Sequence, residues 1–386
     1  MMGPQSEGVH SVKPRGKARR TPKLREASFS DYAQIAALES RYGLTAAKSV
    51  QEWSHLWLGN PAYRQLQPGW SIGWVLEDEH NQIVGSLGSI PRLYELEGRS
   101  ILAVSSRGWV ADSKYRSASL LLLDRLLNQP ETDLFLTNTN SAASTPAVTA
   151  LQCMRVPVGV WDEYAFWIPN YQDFLRRFLA RRNYPLAKPL SYPLSAAVFF
   201  KDWITKKPLC SGDVEVEVCP TFDERFDDFW VDLRRCNQHL LLAVRTREVL
   251  EWHYKYALSD NRVWIVTAVD RSRIVAYAIF DKREYPSGLK KVRLVDFVSL
   301  DGGTTLLEPL LVRALRKCRE DGVHKLVSIG RWLEKGEWLE SIAPYRGKLP
   351  AWMYFYRANS PGLAERLRDR TAWAPTLFDG DAGLLR

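Results

Sequence analysis

The sequence predicts an α/β fold built twice in one chain. Two observations lead there. A polar-to-apolar helical segment, an aromatic helical segment, a β-hairpin, a strand, an apolar helix and a further strand follow one another twice, in the same order. Matched positions in the two copies lie about 190 to 200 residues apart.

The first copy opens with a helix over Phe29–Tyr42, after "LREASFSD", where Ser28 or Ser30 is the expected N-cap and Asp31 falls in the first turn. In "EWSHLW" (Glu52–Trp57) a second aromatic follows Trp53 by four residues, which places both on one helix face. The stretch Gly73–Leu87, "GWVLEDEHNQIVGSL", is two apolar runs around a polar turn and reads as a hairpin. A strand over Ile101–Val110, a helix over Ser119–Leu127 and a strand over Thr132–Asn138 complete the unit.

The second copy repeats this. Its first helix spans Phe222–Asn237, with Thr221 and Glu224 in a capping-box spacing. "EWHYKY" (Glu251–Tyr256), a hairpin over Val263–Ala278, a strand over Lys291–Leu300, a helix over Thr304–Cys318 and a strand over Lys325–Ile329 follow. Between the copies, "RRNYPLAKPLSYPL" and "KKPLCSGD" read as a linker with one short amphipathic helix, Ser195–Thr205. The expected divisions are a basic tail (1–22), a first domain (23–180), the linker (181–212), a second domain (213–357) and a terminal segment (358–386). In the last of these, Trp373, Leu377 and Phe378 are expected to pack back on the body.

The 386 residues are 46% hydrophobic and 25% charged, which suits a globular chain with sizeable cores. The formal net charge is +9, and "SVKPRGKARRTPKLR" before Glu26 holds seven of the Lys and Arg residues. That stretch is apolar-poor and expected to be disordered, either as a solubilising tail or as one that touches membrane phosphates or nucleic acid. Five scattered cysteines, Cys153, Cys210, Cys219, Cys236 and Cys318, show no CxxC spacing, so neither a zinc site nor a disulfide framework is expected. The six histidines do not cluster, so no metal is expected. No apolar run approaches a membrane span, and the start of the chain lacks a signal-peptide core; the expected location is cytoplasmic.

The chemistry concentrates at the junction "WVADSKYRSASLLLLDRLL" (Trp109–Leu127), where a strand turns into a helix. Backbone amides at such a helix start donate to an anion, and Lys114 and Arg116 add full charges suited to phosphate. The alternative is an ordinary strand-to-helix connection with two surface bases. The matching turn of the second copy, "SLDGGTT" (Ser299–Thr305), has glycines but carries Asp301, which would repel an anion. Gly108, in "SSRGW", suits a bulge or a packing position in the strand.

These elements resemble the GNAT superfamily of acyl-CoA-dependent N-acyltransferases. In that family a strand ends in Val, and an Arg/Gln-x-x-Gly-x-Gly/Ala turn opens a helix. Here Val110, the Tyr115–Arg116 pair and the helix from Ser119 take those places, with Ser119 and Leu121 at the glycine positions. The next strand supplies Asn138 and Asn140, and Cys153–Met154 stands at the Gly-Phe step. The family's frequent Tyr acid would fall near Thr149, and no Tyr is there.

The resemblance implies two tandem GNAT-like α/β (α+β) domains. Each is a mixed, mostly antiparallel twisted sheet with splayed central strands, and the second copy is degenerate. It implies an acetyl-CoA or other acyl-CoA co-substrate bound by Trp109, Val110, Lys114, Tyr115, Arg116, Ser117, Ala118, Ser119 and Asn138. The acceptor would be the amine of a small metabolite, an amino sugar or a peptidyl group. The same architecture occurs in FemABX-like transferases, which use aminoacyl-tRNA; a non-catalytic binding module is the third reading.

For catalysis, Asn140 and Ser144 lie at the end of the central strand, and Asp296 sits among apolar neighbours in "VRLVDFVSL", paired with an Arg such as Arg293 or functional. Glu77 and Asp78 are further carboxylates that could act as a base. A thiol of pKa about 8.5 leaves without much help, so a dedicated acid is dispensable, and water or Ser144 could serve.

Overall fold

The first half folds as β1 (Lys23–Glu26), α1 (Tyr32–Arg41), α2 (Val50–Leu58), α3 (Pro61–Leu66), β2 (Gly73–Glu77), β3 (Ile83–Leu96), β4 (Arg99–Ala111), α4 (Ser119–Leu127), β5 (Leu134–Asn140), α5 (Thr145–Ala150), β6 (Met154–Arg155) and β7 (Val160–Trp167). Two helices, α6 (Tyr171–Arg181) and α7 (Ala187–Thr205), lead to the second half. That half comprises β8 (Glu215–Cys219), α8 (Arg225–Cys236), β9 (Leu242–Ala243), α9 (Arg247–Ser259), β10 (Val263–Asp270), β11 (Arg273–Glu284), β12 (Lys290–Ser299), α10 (Leu307–Glu320), β13 (Lys325–Arg331), β14 (Tyr345–Lys348), β15 (Met353–Ala358) and α11 (Pro361–Arg366). This computed structural model describes residues 21–384 apart from 67, 141, 183, 185, 206–208, 211, 286–287, 332–342 and 350–352. The basic segment 1–20, on which the expected disordered tail falls, lies outside the described residues.

Local chemistry sets the helix starts. Ser28 and Asp31 form a capping box: the Ser28 amide donates to Asp31 Oδ2 at 2.8 Å, ahead of a short 3-10 turn and α1. Ser49 Oγ accepts from the Glu52 amide at 3.1 Å and starts α2. The box expected between Thr221 and Glu224 does not form. Asp223 takes its place, accepting from the Arg225 amide at 3.0 Å and from the Arg225 guanidinium. The helix expected over Ser195–Thr205 extends back to Ala187, through Pro193.

The strands form two sheets of the same design. One runs β1-β2-β3-β4-β5-β15-β6, with β9 beside β3; the other runs β8-β10-β11-β12-β13-β7-β14. In each, one central pair is parallel, β4 with β5 and β12 with β13, and the other pairs are antiparallel. The sheets depart from the chain order where strands of one half pair into the sheet of the other. Strand β15, late in the chain, lies between β5 and β6 of the first sheet, and β7 lies between β13 and β14 of the second. Each half thus completes the other's sheet.

The repeated aromatic helices meet where the halves join. Trp252 Nε1 on α9 donates to the His55 carbonyl on α2 at 3.0 Å, and His55 Nε2 sits 3.0 Å from the Trp252 carbonyl. The first core gathers Trp57, Leu76, Ile90, Leu122 and Leu126; the second gathers Phe226, Ile265, Tyr277 and Leu310. Trp57 is fully buried, and its Nε1 donates to the Ser89 carbonyl at 2.6 Å.

Because each sheet borrows a strand, the halves unfold together. Urea unfolding followed by far-ultraviolet circular dichroism and by tryptophan fluorescence is expected to give coincident transitions. Trp57→Ala shifts both, at a cost of about 3–5 kcal/mol. Two separated transitions would contradict the exchange.

Candidate functional site

The parallel pairing of β4 and β5 is short. It joins Ala103 to Leu134, Val104 to Phe135 and Ser105 to Leu136, and then stops. Past that point β4 stays with β3, while β5 continues with β15 through Thr137↔Phe355 and Asn140↔Met353. The cause lies in β4. Its register against β3 jumps between Ser86↔Val110 and Gly88↔Arg107, so Gly108 and Trp109 face one residue of β3. Gly108 has φ +66°, a left-handed conformation that favours glycine in a bulge. A Cβ there would stand 2.1 Å from Glu39 Oε1, so a larger residue would also have to displace that carboxylate. Glu39 in turn pairs with Arg107 at 2.8 Å, both buried, beneath the bulge. Burial pushes the Glu39 carboxyl up, and the Arg107 charge works against that rise.

The wedge between β4 and β5 leads to the turn that precedes α4. Trp109 Nε1 donates to the Ser119 carbonyl at 3.2 Å, and Val110 is buried, so strand end and helix start are tied together. Asp112 is clamped by Arg41 at 2.9 Å and by the Tyr42 hydroxyl at 2.9 Å. Ser119 Oγ folds back onto the Arg116 carbonyl at 2.7 Å. Lys114, Arg116 and Ser117 are exposed, Tyr115 and Ala118 half-buried. The Lys114 ammonium stands 5.0 Å from the Tyr115 ring centre. Ser117 and Ala118 precede α4, and their amides have no backbone acceptor among the described residues. Residues without a left-handed backbone build this turn, which is why serine and alanine serve where glycines were missed.

The deep end of the wedge is filled by the chain's own end. Asp381 accepts from the Asn138 amide at 2.7 Å and from the Thr139 hydroxyl, and Asn138 Oδ1 accepts from the Ala382 amide at 2.7 Å. Burial pushes the Asp381 carboxyl above its ordinary range. Just before it, Phe378 is sealed between guanidiniums from the two halves, Arg92 at 4.5 Å and Arg245 at 4.7 Å from its ring centre. Arg245 also pairs with Asp296 at 3.0 Å and with Asp379 at 2.9 Å, and Thr376 Oγ1 donates to Asp296 at 2.7 Å. Burial works against the Arg245 charge, but the two carboxylates outweigh it and hold the guanidinium well above its ordinary value.

Asn140 and Ser144 come together at the end of β5, with Ser144 Oγ 3.4 Å from Asn140 Oδ1. Asn138 is on the same strand, and its amide group is engaged with residues 377 and 382. Asp296 lies elsewhere, past a bulge of β12, and its arginine is Arg245, not Arg293, which pairs with Asp281 at 3.4 Å. Glu77 pairs with Arg25, and Asp78 holds its own hairpin turn through the His80 and Gln82 amides. A cleft of about 430 Å³ opens beside Glu97 and Gly98, at the end of β4 remote from the turn. The second half repeats the short parallel pairing, which ends at Leu294↔Ser328. There Asp301 accepts from the Gly303 amide at 2.8 Å, so the chain's own carboxylate occupies a donor that an anion would need. Sequence reasoning missed Arg245 and Asp381. The signal for the latter was a pair of acids, "FDGDAG", inside an apolar terminal segment.

No protein-family profile and no curated protein matches this sequence. Solved structures do. Saccharomyces cerevisiae N-myristoyltransferase with bound myristoyl-CoA superposes with a TM-score of 0.53 at 11% identity, over 90% of this chain and 82% of that one. A GCN5-related N-acetyltransferase from Kribbella flavida gives 0.51 at 11% identity, over 87% and 71%. One from Anabaena variabilis gives 0.50 at 12%, over 87% and 72%. The chain has a tandem GNAT fold. The two mixed sheets with short parallel central pairs, flanked by helices, are the GNAT design in duplicate.

Removing the Arg245 charge leaves Asp296 and Asp379 buried side by side. Arg245→Met is expected to cost about 3–5 kcal/mol at neutral pH. Asp379 is already raised by burial, so in the folded state it holds a proton to higher pH than in the unfolded chain, and stability falls as pH rises through the folded value. Without Arg245 that value climbs further. Urea midpoints will therefore show a smaller deficit for the variant at pH 5 than at pH 8; an equal deficit would contradict the arrangement.

Proposed function

We propose that the chain is an acyl-CoA-dependent N-acyltransferase whose first half holds the co-substrate. The observation that carries this reading is the wedge between β4 and β5, opened by the Gly108 bulge and ending at the amides of Ser117 and Ala118. A CoA pyrophosphate seats on those amides, with the dipole of α4 behind them and Lys114 and Arg116 alongside. The pantetheine arm lies along the free edge of β4, where backbone groups no longer pair with β5, and completes the ladder as a strand would. Trp109, Val110, Tyr115 and Ser119 shape the seat. A myristoyl-CoA-bound structure of the same fold supports an acyl-CoA in this role.

At the thioester, the acceptor nitrogen attacks the carbonyl, the C–S bond breaks, and the amine proton passes to a base. Asp381 is the carboxylate positioned for that task, at the inner end of the wedge and with an affinity for protons raised by burial. The thiolate then takes a proton from water, and Asp381 returns the amine proton to that water, which restores the base. Asn140 and Ser144 line the end of β5 as polar contacts for the acceptor. Asp296 acts at one remove, as a positioning residue: with Arg245 it fixes Thr376 and Asp379, and so aims Asp381. Acetyl-CoA is the first acyl donor to try, and the acceptor is an amine.

Isothermal titration calorimetry with acetyl-CoA tests the seat. Native protein is expected to bind, and Arg116→Ala to weaken binding by roughly ten-fold or more, as for the loss of a hydrogen bond to a charged group. No heat with native protein, or an unchanged Arg116→Ala, overturns the reading. Free-thiol release with an amine panel then tests turnover. Its rate is expected to rise with pH through the ionisation of Asp381, and Asp381→Asn to abolish that limb. Binding without steady release would make the chain a ligand-binding module instead.

A further inference from the structure

The hairpin of α6 and α7 has its amphipathicity reversed. The stripe of α7 that faces the body carries Ala187, Ser191, Ser195, Val198 and Asp202, which are mostly small or polar. Asp202 anchors it, accepting from the Tyr171 hydroxyl at 2.8 Å and the Tyr345 hydroxyl at 2.7 Å. The large apolar side chains point the other way. Phe199 is 50% exposed, Phe200 58%, Trp203 73% and Ile204 74%, with Leu190 and Tyr192 on the same face. At about 100° per residue, these side chains span roughly half the helix circumference, and Lys188 and Lys201 stand at its two edges. A monomer does not leave such a face bare without a use for it.

The sequence of this hairpin is basic as well. Residues 171–207 hold eight Lys and Arg against two Asp, and residues 1–25 hold seven against one Glu. These two stretches exceed the net +9 of the chain, so the remainder is net acidic. We infer that the α6–α7 hairpin is a membrane-surface anchor, with α7 lying in the plane of an anionic lipid leaflet. The aromatic and aliphatic side chains enter the acyl boundary, and Lys188 extends sideways to lipid phosphates. Among the described residues no helix is long and apolar enough to cross a membrane, which fits a helix that lies on one. A nucleic acid would use the bases but not the exposed Phe, Trp and Ile. A second copy would bring one net-positive face against another. This inference stands apart from the acyl-transfer reading.

Vesicle sedimentation of the full chain tests it. The protein is expected to pellet with phosphatidylcholine vesicles that hold roughly one-third phosphatidylglycerol, and to stay in solution with phosphatidylcholine alone. Phe200→Ser with Trp203→Ser is expected to lower the bound fraction by about ten-fold or more. Lys188→Glu is expected to lower it by roughly five-fold or more. Both variants should keep the native urea midpoint, since these side chains make the surface and not the core. Native protein that stays in solution with both vesicles overturns the inference, as a face covered by a second copy would cause. So does a Phe200→Ser, Trp203→Ser variant that pellets like the native chain, since charge alone would then be the attraction.

Discussion

The guanidinium of Arg245 is the point on which the second half and residues 376–379 converge. It is buried, paired with Asp296 from β12 and Asp379 from the terminal segment, and stacked on Phe378. A buried charge of this kind is tolerated only when its partners are fixed in number and direction. Satisfying Arg245 therefore dictates where residues 376–379 lie. Asp381 follows two residues later and reaches the Asn138 amide at 2.7 Å. One ion cluster in the second half thus decides what occupies the wedge of the first.

The wedge has an equally local origin. A parallel pair of strands continues until something bends one of them away, and in β4 the bend is the bulge at Gly108. The second half bends β12 at the corresponding place, between Ile279↔Asp296 and Phe280↔Leu294, without a glycine. Duplication preserved the geometry and let the chemistry diverge. One turn kept Lys114 and Arg116 beside open amides; the other gave an amide to Asp301. That asymmetry is the physical reason why the proposed co-substrate is assigned to the first half.

Much of the architecture was legible in the sequence because it is local. Periodicity fixes hairpins and helices, and the strand over β4, the α4 helix and both hairpins stand where alternation and turns put them. The duplication was legible for the same reason. The exchange of β7 and β15 was not, because strand pairing is a long-range choice that no window of sequence contains. The reversed face of α7 hid behind its prolines, which read as linker although Pro193 lies inside the helix. At the site, the bases of the turn were visible as charges. Asp381 was not, since its placement depends on a contact with Asn138 across more than half the chain.

Backbone hydrogen exchange with and without acetyl-CoA addresses the central claim most directly, because it reads the amides themselves. The account predicts slowed exchange across residues 106–119, along the free edge of β4 and at Ser117 and Ala118, with no change at Ser299–Thr305. Unchanged exchange at residues 106–119, or protection at Ser299–Thr305 instead, would contradict it.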